Sequence, residues 1–193
     1  MIKNDIWIKE MSSQGMISPF EPSLVRRNGS MSVISYGTSS FGYDMRLSPK
    51  EFKIFKHIPG AVVDPKKFNP ENLESVKLQS DESGDFFILP KQSYGLGVSL
   101  ERIEMPANVT AICAGKSTMA RCGIIANLTP IEAQFKGWIT LEFSNSSHAD
   151  CRLYANEGIV QLLFLEGEPC QTTYADRKGK YQNQENEITI ARV

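Results

Sequence analysis

The chain has 193 residues, 22 of them acidic and 21 basic, for a net charge of −1. That length suits one domain, or one domain with extensions, around a substantial core, and so small a charge gives no general electrostatic reason to bind nucleic acid or an anionic membrane. No apolar run approaches the roughly 18 residues of a membrane-spanning helix, and Met1-Ile-Lys-Asn-Asp-Ile-Trp7 is too charged for a secretory signal, so the expected location is the cytoplasm.

Ile6, Trp7, Ile8 and Met11 recur at roughly helical spacing and predict a short N-terminal helix that ends near Gly15. The text from there to Arg27 is turn-like, with Pro19 and Pro22, and Ser32–Tyr36 reads as a strand. Gly37-Thr-Ser-Ser-Phe-Gly-Tyr-Asp44 is too rich in Gly and Ser for a regular element, whereas Met45–Leu47 and Glu51–Phe55 resume the alternation of a strand. Residues 62–83, with Pro65, Pro70 and several charges, predict a long surface excursion. Phe86–Pro90 and Tyr94–Leu100 read as short strands. Beyond Pro106 further strands are predicted about every ten residues, over Val109–Cys113, Gly123–Leu128, Trp138–Asn145, Cys151–Tyr154 and Ile159–Leu165. That spacing indicates a β-sandwich or barrel rather than βαβ units. Residues 174–187 turn polar and charged and predict an arm.

Cys113-Ala-Gly-Lys-Ser-Thr-Met-Ala-Arg-Cys-Gly123 contains the Gly-Lys-Ser that ends many phosphate-binding loops, but Thr110 stands where that loop needs its first glycine. No long helix follows Arg121, so the usual loop is excluded, although Lys116, Ser117, Thr118 and Arg121 still gather donors within six residues. The four cysteines, Cys113, Cys122, Cys151 and Cys170, form no CxxC pair and are read as reduced packing residues. The two histidines, His57 and His148, lack neighbours at ligand spacing, so no zinc site is expected.

In Trp138-Ile-Thr-Leu-Glu-Phe143 the alternation puts Ile139, Leu141 and Phe143 on one face and Trp138, Thr140 and Glu142 on the other. Glu142 is then either a solvent-facing strand residue or, if it faces a pocket, a carboxyl whose pKa burial raises toward that of a general base. Glu132 could add a second acidic group. Arg121 is either an exposed surface residue, half of a structural ion pair, or a semi-buried group drawn inward by Met119, Ala120, Cys122 and Ile124. Tyr174, Lys180 and Gln184 are either solvated tail residues or part of an arm that folds over a polyphosphate.

Gly115–Gly123, Trp138–Phe143, Asn156-Glu-Gly-Ile-Val-Gln161, Tyr174–Gln184 and Ile34–Arg46 together, in that family's order along the chain, resemble the dCTP deaminases, relatives of the trimeric dUTPases. The resemblance implies a mainly β subunit over residues 1–193, a distorted β-barrel or jelly-roll of the dUTPase-like β-clip type with a short N-terminal helix. It also implies a homotrimer with sites between subunits, and an arm over about 174–193 that closes on the nucleotide. The implied reaction is hydrolytic deamination of dCTP to dUTP and ammonia, feeding dUMP and dTTP synthesis, with dTTP as a feedback inhibitor and magnesium carried by the substrate triphosphate. Carried over by position, Glu142, Ser117 and Arg121 would be catalytic. Lys116, Ser117, Thr118, Met119, Ala120, Arg121, Glu132, Thr140, Leu141, Glu142, Gln161, Tyr174, Lys180 and Gln184 would contact the nucleotide. Lys116 stands where some members have Arg, and Glu132 where the dUTPases prefer Asp. The HxE and PCxxC patterns of zinc nucleobase deaminases are absent. A dUTPase, a bifunctional enzyme giving dUMP, and a non-catalytic nucleotide sensor are the competing readings.

Overall fold

A computed structural model describes residues 1–127 and 129–193, which leaves Leu128, the last residue of one predicted strand, outside the description. Helix α1 (Asp5–Ser13) starts where the Asn4 side chain accepts from the Trp7 amide at 3.2 Å, satisfying a free donor of the first turn. It stops at Gly15, whose φ of +99° favours glycine.

The rest of the regular structure is almost all strand. The N-terminal half holds β1 (Ile17–Ser18), β2 (Leu24–Asn28), β3 (Met31–Ser39), β4 (Gly42–Phe55), β5 (Leu73–Ser75), β6 (Gln79–Asp81), β7 (Gly84–Leu89) and β8 (Tyr94–Glu104). The C-terminal half holds β9 (Val109–Gly115), the five-residue helix α2 (Ser117–Arg121), β10 (Ile124–Ala126), β11 (Pro130–Ile131), β12 (Lys136–Asn145), β13 (Cys151–Tyr154) and β14 (Gly158–Glu166).

The larger sheet runs β10-β12-β8-β4-β14-β9-β11, with β1, β2, β3 and β5 attached at its sides, while β13, β7 and β6 form a smaller one. The strand pairs among the described residues are antiparallel, a pattern that needs no crossover helix. The larger sheet curls because β4 changes partners along its length. Tyr43–Arg46 pair with β14, whereas Phe52–Ile54 pair with β8 after a break in register. The result is a mainly β half-barrel with one short N-terminal helix, as the motifs implied.

Two expectations need correction. Gly37–Asp44 is not irregular: it is the end of β3, a tight turn and the start of β4, with Gly37 pairing Asp44. Its small polar residues suit a hairpin corner, where little side-chain volume is needed. Residues 62–83 do cross the surface, but they also contribute β5, β6 and a 3₁₀ turn at Pro70–Asn72.

Alternation along the strands builds the core. In β12, Ile139, Leu141 and Phe143 are buried while Trp138, Thr140 and Glu142 are half-buried. Phe52, fully buried, stacks on Phe87 and Phe143 with ring centres 5.3 and 6.3 Å apart. Arg46 ties β4 to β8 by donating from Nε to the fully buried Glu101 at 2.7 Å. Cys113 packs in this core, but Cys122 and Cys170 are exposed, because turns rather than strands carry them. No helix among the described residues is long and apolar enough to cross a membrane.

Phe52→Ala should destabilise the fold by about 3–5 kcal/mol, the usual cost of deleting a fully buried aromatic ring. Urea unfolding monitored by circular dichroism measures this, and a loss below about 1 kcal/mol would show that the ring is not central to the core.

Candidate active site

Strand β12 sets the first part of the site. Its alternation turns Glu142 away from the Phe52 cluster, opposite Leu96 of β8. The Glu142 carbonyl accepts from the Asn127 amide at 3.0 Å, which fixes the backbone behind the side chain. Burial pushes the carboxyl up to about 7, with a small opposing pull from its own backbone N–H. A group poised there exchanges a proton readily near neutral pH.

Residues 174–191 cover this carboxylate. Tyr174 anchors the segment: its amide donates to the Ala133 carbonyl at 3.0 Å, its ring packs on Phe135 at 6.0 Å, and its hydroxyl accepts from the Tyr181 amide at 2.9 Å. Gly179 lies so close to the Tyr174 ring that a Cβ would come within 2.2 Å of it. Gln184 donates from Nε2 to Thr140 Oγ1 at 2.6 Å and accepts at its carbonyl from Trp138 N at 3.1 Å. Gly137 permits this approach, since its φ is +137° and a Cβ would sit 2.7 Å from the Gln184 backbone. Ile188 ends the segment as a buried residue against Leu73 and Leu96.

Beneath this cover a cavity of about 250 Å³ is lined by Glu132, Thr140, Glu142, Tyr174, Lys180 and Tyr181, among others. It therefore combines a poised carboxyl, a second acid, hydroxyls and one ammonium group. Glu132 is also paired with Arg177, and Lys180 Nζ donates to the Arg192 carbonyl at 2.7 Å. Five of the residues singled out in the sequence thus share one cavity, with Gln184 bound to one of its walls. Leu141 lies alongside, but its side chain is buried in the core and only its backbone is available.

The donors of Lys116–Arg121 are elsewhere, and neither of the two cavities that Glu142 lines includes any of them. Lys116 pairs with Asp44 and also donates to Ser35 Oγ at 3.3 Å. Gln161 donates to Asp44 Oδ1 at 3.0 Å and to Ser39 Oγ at 3.2 Å. Thr118 borders a third cavity of about 610 Å³, which Glu157 lines too. Met119 is the one residue of α2 that turns fully inward, leaving Ser117, Thr118, Ala120 and Arg121 exposed. The semi-buried alternative for Arg121 fails for that reason. A helix of five residues has one inward position, and Arg121 lies off it, donating from Nη1 to the Ser117 carbonyl at 2.9 Å.

Sequence reasoning missed Asp44, which is buried at 4% exposure and holds both Lys116 and Gln161. Its only signal was an acidic residue inside a small-residue corner. Asn127, Tyr94 and Tyr181 were missed because strand pairing and chain return, not spacing, bring them beside Glu142. No group of three or more His, Cys, Asp or Glu that could hold a metal ion occurs among the described residues.

Fold and site together define a curled, mainly β protein with a half-buried carboxyl, its pKa raised by burial, under a C-terminal cover and a separate patch of exposed donors. The profile of a family described as dCTP deaminase-like matches residues 2–167. A dCTP deaminase from Campylobacter curvus is 52% identical over 194 residues, which cover 100% of this chain and 98% of that protein. One from Aromatoleum aromaticum is 48% identical over 194 residues, with 100% and 99% covered. The chain belongs to the dCTP deaminase-like family. In fold it is similar to the crystal structure of 2′-deoxycytidine 5′-triphosphate deaminase from Agrobacterium tumefaciens, with a TM-score of 0.59 at 16% identity over 86% of this chain. It spans 48%, about half, of that solved chain.

Because folded Glu142 keeps its proton to about pH 7, against a reference near 4.5, the folded state binds more protons between those values. Stability therefore falls as pH rises through that window. Glu142→Gln, which copies the neutral form, should be more stable than the wild type at about pH 8 and little different at about pH 4. Denaturant titrations at both pH values measure this, and an equal difference at both would show that burial does not perturb the carboxyl.

Proposed function

We propose that the protein hydrolyses the 4-amino group of dCTP to give dUTP and ammonia, with Glu142 as general base and then general acid. The observation that carries this is the buried Glu142 carboxyl at about 7, set in a covered cavity with Glu132, Tyr174 and Lys180. The full-length relatives named dCTP deaminase give the reaction class.

In this reaction Glu142 takes a proton from water as the oxygen bonds to C4, and the displaced electron pair moves to N3, which Glu142 protonates. The carboxylate then takes the remaining hydroxyl proton and gives it to the 4-amino nitrogen. The C4–N bond breaks with its electron pair on nitrogen, a carbonyl forms, and Glu142 ends as it began. No protein-held zinc is assigned, and proton transfer by Glu142 activates the water. Thr140, with the Leu141 backbone, takes the pyrimidine edge, Glu132 the sugar, and Tyr174, Lys180 and Gln184 the remainder of the nucleotide. Magnesium arrives on the triphosphate. The lysines and Arg121 suit phosphate oxygens, which leaves the cation to the phosphates themselves.

Lys116, Ser117, Thr118, Met119, Ala120, Arg121 and Gln161 form the second half of the site, contributed to the Glu142 cavity by another copy in a homotrimer. Two features support this. The donors of α2 are exposed and lie outside the Glu142 cavity within one chain. Ile112 and Ile125, on the strands either side of α2, are exposed at 41% and 51%, an apolar setting suited to a partner surface. Ser117 and Arg121 then orient the attacking water. We further propose that residues 1–193 act as one domain whose 174–193 arm closes over the nucleotide. dTTP competes for the same site, the product supplies dUMP and dTTP synthesis, and the setting is cytoplasmic, without nucleic-acid or membrane partners.

Incubation with dCTP and magnesium, followed by separation of the nucleotides, should yield dUTP and ammonia. Release of dUMP and pyrophosphate would instead establish the bifunctional reaction. Glu142→Gln should lose about 10²–10⁴-fold or more in turnover while binding dCTP nearly as well as the wild type, and full activity in the purified variant would sink the assignment of the base.

A further inference from the structure

Glu142, Thr140 and Tyr181 line two cavities, not one. Beyond the polar cavity already described lies a second of about 220 Å³, walled by Phe55, Phe68 and Tyr94 and closed by Thr189 and Ala191 of the C-terminal segment. Phe55 meets Phe68 and Tyr94 edge to face, with ring centres 6.0 and 5.5 Å away and planes at 89° and 79°. The Tyr94 hydroxyl accepts from Asn127 Nδ2 at 2.9 Å, which leaves its own proton to donate. No Lys or Arg lines this second cavity.

These features choose among the parts of the reaction. A triphosphate would need cationic partners, which only the first cavity supplies, through Lys180. The second is lined by the aromatic Phe55, Phe68 and Tyr94 together with Glu142, and aromatic rings beside a carboxyl attract small cations and amines. Its volume is enough for an amine and several waters, each taking about 30 Å³. We propose that this aromatic cavity is the leaving-group chamber, which receives the ammonia or small alkylamine expelled from pyrimidine C4.

The inference rests on the deamination reading above. Once Glu142 has delivered the proton and the C4–N bond has broken, the amine departs past Glu142 away from the bound nucleotide. There it takes a proton from water to become the ammonium ion that the ring faces hold. The chamber also gives the next water a route to Glu142 while the sugar and phosphates fill the first cavity.

A chamber of about 220 Å³ has room for a substituent on the departing nitrogen. N4-methyl-dCTP should therefore be hydrolysed to dUTP and methylamine with kcat/KM within about tenfold of dCTP, whereas a pocket that fits only the unsubstituted group commonly rejects an added carbon by about 10–200-fold. Ala191→Phe, which fills the chamber, should cut turnover of N4-methyl-dCTP at least tenfold more than that of dCTP. If that variant does not fold, inhibition of the wild type by ammonium chloride beyond that by equal potassium chloride reads the same chamber. Normal dCTP turnover with no reaction of N4-methyl-dCTP, or with equal losses on both substrates in Ala191→Phe, would overturn the chamber and leave the deamination reading intact. Absence of dCTP turnover would remove both.

Discussion

A carboxyl held mostly out of water and still within reach of a ligand is the condition around which this chain is arranged. Desolvation raises Glu142 to about 7, and its cost is tolerated because the strand beneath it is locked by the Phe52, Phe87 and Phe143 stack. The C-terminal segment completes the burial. Without Tyr174, Gln184 and Ile188 in place, Glu142 would face solvent from the open side of the half-barrel, and its pKa would fall toward that of an ordinary glutamate. The fold thus stores the chemistry in a cover held by a handful of hydrogen bonds and one buried isoleucine.

The same geometry explains why one chain looks incomplete. The curled sheet places β12 and its carboxyl on one side, while Asp44 gathers Lys116 and Gln161 at the joint of β4, β9 and β14. Lys116 pairs with Asp44 within its own chain, at 9% side-chain exposure beside 6% for Asp44. On α2 itself Ser117, Thr118 and Arg121 are the outward-facing donors. A short helix that spends its one inward position on Met119 leaves the rest of its surface outward. In the symmetric assembly proposed above, every copy would bring both a cavity and a set of donors.

Most strands from Val109 onward could be read from the sequence because short strand-like runs recur about every ten residues, although β11 was missed, and the alternation within β12 placed Glu142 off the core face. The spacing of Ile6, Trp7, Ile8 and Met11 likewise gave α1, and Gly15 its end, while the Asn4 cap came only with the structure. What escaped was non-local. The Gly- and Ser-rich Gly37–Asp44 looked irregular because a hairpin corner and a loop use the same residues, and Asp44 was hidden within it. Arg121 stayed open among three readings because apolar neighbours in sequence do not fix which side of a five-residue helix faces inward. The second wall of the cavity, with Phe55, Phe68 and Tyr94, depends on β4, β8 and the 3₁₀ turn meeting the C-terminal segment, and no spacing in the sequence encodes that meeting.

Division of one site between copies is tested most directly by subunit complementation. Glu142→Gln lacks the carboxyl and Arg121→Ala lacks the exposed donor, and each should be nearly inactive alone. After the two variants are unfolded together and refolded as a mixture, dCTP deamination should rise well above the sum of the separately refolded proteins, because some sites then pair an intact Glu142 with an intact Arg121. A mixture no more active than that sum at any ratio, despite demonstrated mixed oligomers, would contradict a site shared between copies.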